Sequence, residues 1–246
     1  MNQARTAILY APGTNCHEET AAAIELAGGK AELVLLKELI GGECRLDDYQ
    51  AAVVPGGFSY GDHLGAGRIF ATMLVARLRD QLVRFLEAKK PLLGICNGYQ
   101  VLTEAGILPG RTPGQRAMAL LENQSARFED RKVRLIVSEE ECVWTEGLCG
   151  KVLNMPSAHG EGRPLFCASG VSSPTRAVFY YGDKDGRPTM DYPSNPNGSP
   201  GAVAGITDES GLVLGLMPHP ERASLPAQYS QDGLGIFQNL VKWLKQ

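Results

Sequence analysis

The stretch Pro91-Leu92-Leu93-Gly94-Ile95-Cys96-Asn97-Gly98-Tyr99-Gln100 constrains this chain more than any other. Pro91 to Ile95 is a short apolar run that ends in a turn signal, the pattern of a buried strand. Gly-x-Cys-x-Gly follows, and the residues from Tyr99 to Ala105 read as a helix. A strand that turns directly into a helix through two glycines is the layout of a nucleophile elbow. Such a turn forces its central residue into a strained backbone conformation. Gly94 and Gly98 remove the side chains that would collide where the backbone crosses itself. Cys96 is then presented above the carboxyl end of a parallel sheet. It faces the positive end of the next helix, which favours an anionic nucleophile. The competing reading, a small buried hydrophobe, is common for a free cysteine. What decides between them lies elsewhere in the chain.

Strands and helices alternate up to the elbow. Ala7 to Tyr10, Ala31 to Leu36 and Ala51 to Val54 read as strands. Glu18 to Ala27 reads as a helix closed by Gly28-Gly29. A longer helix is expected from Gly65 to Lys89, with Leu74, Leu78, Leu82, Phe85 and Leu86 on its inner face and Arg77, Arg79, Gln81 and Arg84 outside. This alternation implies βαβ units, a parallel sheet and right-handed crossovers. From about Arg111 the period changes. Ala117 to Glu122, Ala126 to Phe128, Val133 to Val137, Lys151 to Met155 and Ala177 to Tyr181 read as short strands with no good helix between them, an antiparallel portion. Asp183 to Gly201 is rich in turn formers and reads as loop. Ala202 to Ile206 and Leu212 to Met217 are strands, and Gly233 to Lys245 is a closing amphipathic helix. No repeat or linker interrupts the 246 residues, so one domain over 1–246 is expected.

The second half of a site lies in Met217-Pro218-His219-Pro220-Glu221-Arg222. Each proline biases the residue before it toward an extended conformation. Residues two apart in an extended run share a side, so His219 and Glu221 point together. A carboxylate holding one imidazole nitrogen while the other faces a thiol is the geometry of a catalytic triad. With Cys96, this is a Cys-His-Glu set. A third element, Pro55-Gly56-Gly57-Phe58-Ser59-Tyr60-Gly61-Asp62, leaves the end of a strand and belongs at the same sheet edge. Its paired glycines let a backbone N–H approach a ligand. The N–H of Gly57 and that of Asn97 are the candidates for an oxyanion hole.

Composition narrows the alternatives. A net charge of −3 argues against nucleic acid as an electrostatic partner. Six cysteines without CxxC pairs fit reduced thiols and no metal site. No apolar run reaches membrane-spanning length, and Met1 to Tyr10 lacks a signal-peptide core, so a cytoplasmic location is expected. Neither G-x-x-x-x-G-K-[ST] nor G-x-G-x-x-G after a strand is present, which argues against a nucleotide site of those types.

These residues resemble the class I glutamine amidotransferases. The resemblance rests on Gly-x-Cys-x-Gly at Gly94–Gly98 with the downstream His219-Pro220-Glu221. Further runs narrow it within the class: Pro12-Gly13-Thr14-Asn15-Cys16, Gly57-Phe58-Ser59-Tyr60-Gly61-Asp62, Ala158-His159-Gly160-Glu161-Gly162-Arg163 and Asn195-Pro196-Asn197-Gly198-Ser199. They span nearly the whole chain and point to glutaminase subunits of purine biosynthesis. Ala11 and Ser157 stand where a larger residue and an aliphatic one are common, and Glu122 to Gly150 carries nothing diagnostic.

The resemblance implies an α/β, three-layer, flavodoxin-like fold: a mostly parallel central sheet with helices on both faces and a small antiparallel portion. It implies that Cys96 attacks the side-chain amide of glutamine, that His219 shuttles the proton to the leaving ammonia, and that Glu221 orients His219. It places Gly56, Gln100 and His159 at the substrate, His159 in a loop near the site. Cys16 belongs to a family run but has no assignable base and is left out of catalysis. No cofactor is expected on this chain. ATP and Mg belong to a large synthetase subunit, which works with a small accessory subunit and uses the ammonia to convert formylglycinamide ribonucleotide to its amidine. Two competing readings stay open: a stand-alone hydrolase that ignores any partner, and a non-catalytic subunit that has kept the fold.

Overall fold

The computed structural model describes residues 4–166 and 176–246. Residues 1–3 of the leading segment, and Cys167 among the six cysteines, lie outside the described residues. Four strands with uniformly buried or nearly uniformly buried side chains form the centre: β1 (Arg5–Tyr10), β3 (Ala51–Val54), β4 (Leu92–Ile95) and β11 (Val213–Leu216). Strands this apolar need cover on both faces, which is the signature of a parallel sheet. β2 (Lys30–Leu35) pairs in parallel with the outer side of β1, so the parallel order is β2-β1-β3-β4-β11.

The sheet does not stop at β11. It continues antiparallel through β10 (Val203–Thr207), β9 (Ala177–Gly182), β6 (Glu129–Val137) and β7 (Val152–His159), nine strands in all. β5 (Met118–Glu122) and β8 (Glu161–Phe166) form a separate antiparallel ribbon. The class I amidotransferase architecture expected from the sequence is present.

The chain leaves β1 in one direction to reach β2 and in the other to reach β3. Right-handed crossovers therefore send successive helices to opposite faces. α1 (His17–Leu26) packs with α5 (Leu234–Trp243), and α3 (Arg68–Glu87) packs with α4 (Asn97–Glu104). The expected stripe of α3 is buried: Leu74, Leu78, Leu82, Phe85 and Leu86. The reversal of strand order also opens a crevice between the carboxyl ends of β1 and β3, the place where open α/β sheets bind ligands.

Several boundaries differ from expectation. Leu36 opens a short helix, α2 (Leu36–Gly41), instead of ending a strand. Only Leu36 and Leu39 are buried in it, too few to show a helical period. α3 starts at Arg68, because Gly67 adopts a left-handed conformation (φ 72°) that stops helix from extending back to Gly65. Ala126 to Phe128 is not a strand, and β6 begins after it as one continuous run. β7 runs past Pro156 to His159, and β8 follows after Gly160 alone. The Ala158–Arg163 run, read as a loop, is thus the meeting of two strands. Pro156 is tolerated because β7 is the last strand of the sheet, where a missing N–H breaks no second ladder.

The tightest packing lies under the elbow. A Cβ on Gly98 would stand 1.8 Å from the Val54 carbonyl oxygen, and one on Gly94 2.7 Å from the Gly98 carbonyl oxygen. On the neighbouring strand, a Cβ on Gly215 would stand 2.1 Å from the Tyr99 ring. We expect Gly98→Ala to destabilise the protein by about 3 kcal/mol or more, because the obstacle is backbone that cannot rotate away. Urea unfolding checks this, and a loss under about 1 kcal/mol would show that α4 can lift off the sheet.

Candidate active site

Four strand ends supply the site. The elbow follows β4. Cys96 has φ 50° and ψ −107°, a conformation that costs a non-glycine residue free energy and that the crossing glycines hold in place. It is the N-cap of α4, so its side chain stands at the helix's positive end. The Cys96 thiol is 3.4 Å from the Ala158 carbonyl oxygen, which brings the end of β7 over the elbow.

Loops after β1 and β3 are locked together across the crevice. The Cys16 N–H donates to the Gly56 oxygen (3.2 Å), the Phe58 N–H donates to the Gly13 oxygen (3.0 Å), and Thr14 bridges to Gly57. Gly57 has φ 141°, and a Cβ there would lie 2.6 Å from the Asn15 nitrogen, so only glycine fits. Its N–H makes none of these cross-loop bonds. Gly56 leaves the space that the His219 ring fills: a Cβ would meet its Cε1 at 2.7 Å.

His219 and Glu221 follow β11. His219 is extended (φ −103°, ψ 93°), but Pro220–Ala223 is a turn of 3₁₀ helix instead of the extended run the prolines suggested. The pair meets all the same, with His219 Nδ1 2.6 Å from Glu221 Oε1. The His219 N–H donates to the Pro156 oxygen (2.8 Å), which ties this strap to the free edge of β7. Both side chains are almost fully buried. Burial opposes charge on His219. The Glu221 carboxylate and the interactions with Cys96 and Cys16 outweigh it and hold the imidazole well above its ordinary range. His219 Nε2 has no hydrogen-bond partner among the described residues.

Asn97 organises the space between these parts. Its Oδ1 accepts from the Ser59 N–H (3.1 Å), and its Nδ2 donates to Asp62 (3.2 Å) and to Gln100 Oε1 (2.9 Å). Gln100 Nε2 donates in turn to the Glu161 carbonyl oxygen (2.6 Å). Gln100, expected at the substrate, is thereby a brace between α4 and the start of β8. His159 is buried, with Nδ1 3.0 Å from Asn123 Oδ1. Burial, reinforced by the charge of His219, pushes its pKa down to about 3.

Residues 3–244 match the family described as CobB/CobQ-like glutamine amidotransferase domains. The phosphoribosylformylglycinamidine synthase subunit PurQ of Dehalococcoides mccartyi is 44% identical, over all of both chains. This chain belongs to the PurQ family of glutamine amidotransferases. The PurQ of Pyrococcus horikoshii is 42% identical over 98% of each chain. In three dimensions the chain is similar to one from the structure of PurLQS of Thermotoga maritima. The TM-score is 0.79 at 33% identity, covering 99% of this chain and 100% of that one.

The PurQ-family site includes residues that sequence reasoning passed over. Cys16 is one: its Sγ is 4.0 Å from His219 Nδ1, in the same buried group as Glu221. Its place in the Pro12–Cys16 run was the available signal, but nothing in the sequence joined that run to His219. Ser59 and Asp62 are others, both reached through Asn97. Asn195–Ser199 is buried and bonded to itself, and Asn197 Nδ2 supports the Gly162 oxygen at 2.7 Å.

The His159 shift has a stability consequence. The unfolded chain protonates this imidazole below about pH 6.5, whereas the folded one stays neutral until about pH 3. Its contribution is full above pH 6.5 and is lost as pH falls through that window. Between pH 7 and pH 4.5 the wild type should lose about 2–3 kcal/mol more than His159→Gln. Urea midpoints at the two pH values measure this, and equal losses would contradict it.

Proposed function

We propose that this chain is the glutaminase subunit of phosphoribosylformylglycinamidine synthase, one domain over 1–246, and that Cys96, His219 and Glu221 carry its reaction. The observation that carries the reading is the strained cysteine at the N-terminus of α4 beside a buried His219–Glu221 pair. Family membership supports glutamine as the substrate.

Cys96 gives its thiol proton to His219 Nε2, and the sulfur attacks the side-chain carbonyl carbon of glutamine. The oxyanion that forms is held by the N–H groups of Gly57 and Asn97. Glu221 occupies Nδ1 of His219, so Nε2 is the nitrogen left to move protons. Nε2 gives its proton to the leaving nitrogen, ammonia departs and a γ-glutamyl thioester remains. Nε2 then takes a proton from water, which attacks the thioester. Glutamate leaves and the thiol is restored. Gly56 makes room for the His219 ring, Gln100 braces the elbow helix, and neutral His159 stands buried at the end of β7.

Ammonia would be protonated in neutral water, so the product has to pass to a shielded acceptor. The relatives are named as a subunit of phosphoribosylformylglycinamidine synthase and the similar structure is of PurLQS, which supports a synthetase partner. On this reading that partner works with a small accessory subunit, and ATP and Mg belong to the synthetase. There the ammonia converts formylglycinamide ribonucleotide to its amidine. No described helix is long and apolar enough to cross a membrane. A cytoplasmic complex fits this reading.

Cys96→Ala in the assembled complex should abolish glutamine-dependent product formation and leave ammonium-dependent formation intact. Unchanged activity with glutamine would refute the assignment of Cys96. Glu221→Gln should lower kcat for glutamine by about 10³–10⁴-fold with little change in KM, as expected when imidazole loses the carboxylate that fixes its tautomer. Steady-state glutamate release measures both parameters.

A further inference from the structure

On the side of His219 away from its free nitrogen, three groups converge that the glutaminase reaction does not use together. Cys16 Sγ, His219 Nδ1 and a Glu221 carboxylate oxygen all lie within 4.8 Å of one another, and all three residues are buried. The individual approaches are 4.0 Å between Sγ and Nδ1 and 2.6 Å between Nδ1 and Oε1. Thiol, imidazole and carboxylate are the ligand types of a zinc site. Around a tetrahedral zinc, with bonds of about 2.0–2.3 Å, neighbouring ligand atoms stand roughly 3–4 Å apart. Moving each of the three by about half an ångström reaches that spacing.

A second observation points to a ligand here. Glu221 Oε2 is fully buried and has no hydrogen-bond partner among the described residues. A buried carboxylate oxygen without a donor is costly, and a cation would pair with it. Asn15, which is exposed, accepts from the Cys16 thiol through its Oδ1 (3.1 Å) and offers an oxygen as a fourth ligand atom on the solvent side. The loop carrying Asn15 and Cys16 is also the loop that pairs with Gly56–Gly57. A cation in the group would therefore join the β1 loop, the β3 loop and the His219 strap.

We propose that Cys16, His219 Nδ1 and Glu221 form a site for a thiophilic divalent cation such as zinc, and that its occupation switches the glutaminase off. Binding displaces two protons from their positions. The Cys16 thiol proton is released to solvent as the S–metal bond forms. The Nδ1 proton leaves as the N–metal bond forms, and a neutral imidazole then carries its one proton on Nε2. That nitrogen can no longer accept a proton from Cys96 or from water. A metal-bound imidazole N–H is also a poorer acid than imidazolium, so protonation of the leaving ammonia fails as well. The cation-binding claim stands on geometry alone, and the loss of activity rests on the role assigned to His219 above.

Cobalt(II) is the probe, because a cobalt–thiolate bond gives a near-ultraviolet charge-transfer band and a tetrahedral site gives visible bands. The full chain with Cys96→Ala keeps Cys16 and removes the other candidate thiol of the site. It should bind one cobalt per chain with a thiolate band that zinc displaces. The band should disappear in Cys16→Ser/Cys96→Ala. Absence of a band in the single variant would overturn the proposal without depending on how the double variant folds. So would a band that persists in the double variant, or one seen only when Cys96 is present. In the complex, zinc should suppress glutamate release and a chelator should restore it. A bound cation that leaves glutamate release untouched would preserve the site and refute the part given to His219, so the two failures are distinguishable.

Discussion

The structure depends on a backbone crossing. The first turn of α4 lies so close to the end of β3 that Gly98 has no room for a single added carbon, and Gly94 is pressed by the same turn from below. With both neighbours pinned, Cys96 has no relaxed conformation available and takes φ 50°. A strained residue persists only where its surroundings over-determine it. Here they do so on four sides: the β3 carbonyl, the β4 ladder, the Tyr99 ring against Gly215, and the Ala158 carbonyl on the sulfur. Backbone strain and rigidity at Cys96 thus have one cause.

The remaining parts of the site are held relative to that crossing by backbone hydrogen bonds between elements distant in sequence. The β1 loop fixes the Gly56–Gly57 loop, and the edge of β7 fixes the His219 strap through the Pro156 oxygen. Asn97 links the β3 loop to the elbow helix, and Gln100 carries the link on to β8. The two histidines are pushed in opposite directions by one shared environment. His219 has a carboxylate on Nδ1 and is driven toward the charged form, whereas His159 has a neutral amide on Nδ1 and is kept uncharged. Two imidazoles in one buried space cannot both be cationic, and the Glu221 and Asn123 partners decide which one is.

Much of this was legible from local patterns. The elbow, the buried α3 stripe and the parallel strands each leave a periodic or glycine-marked trace. The His219–Glu221 pair is legible in outcome but not in mechanism. The prolines favour extension, yet the residues after His219 turn into a 3₁₀ helix and the carboxylate still arrives at Nδ1. β8 escaped because Gly162 and Pro164 read as loop formers, although a two-stranded ribbon leaves enough free edge to hold them. Cys16 escaped for a different reason. It is 203 residues from His219, and only the pairing of the β1 and β3 loops brings the two together.

On the function proposed above, Cys96 and not the neighbouring Cys16 forms the covalent intermediate. The most direct test is to mix the assembled complex with glutamine, quench in acid within the first turnovers, and map the γ-glutamyl mass increment by peptide mass spectrometry. The increment is expected on the peptide that contains Cys96, lost on treatment with hydroxylamine as a thioester should be. An increment on the Cys16 peptide, or none on either during active turnover, would contradict it.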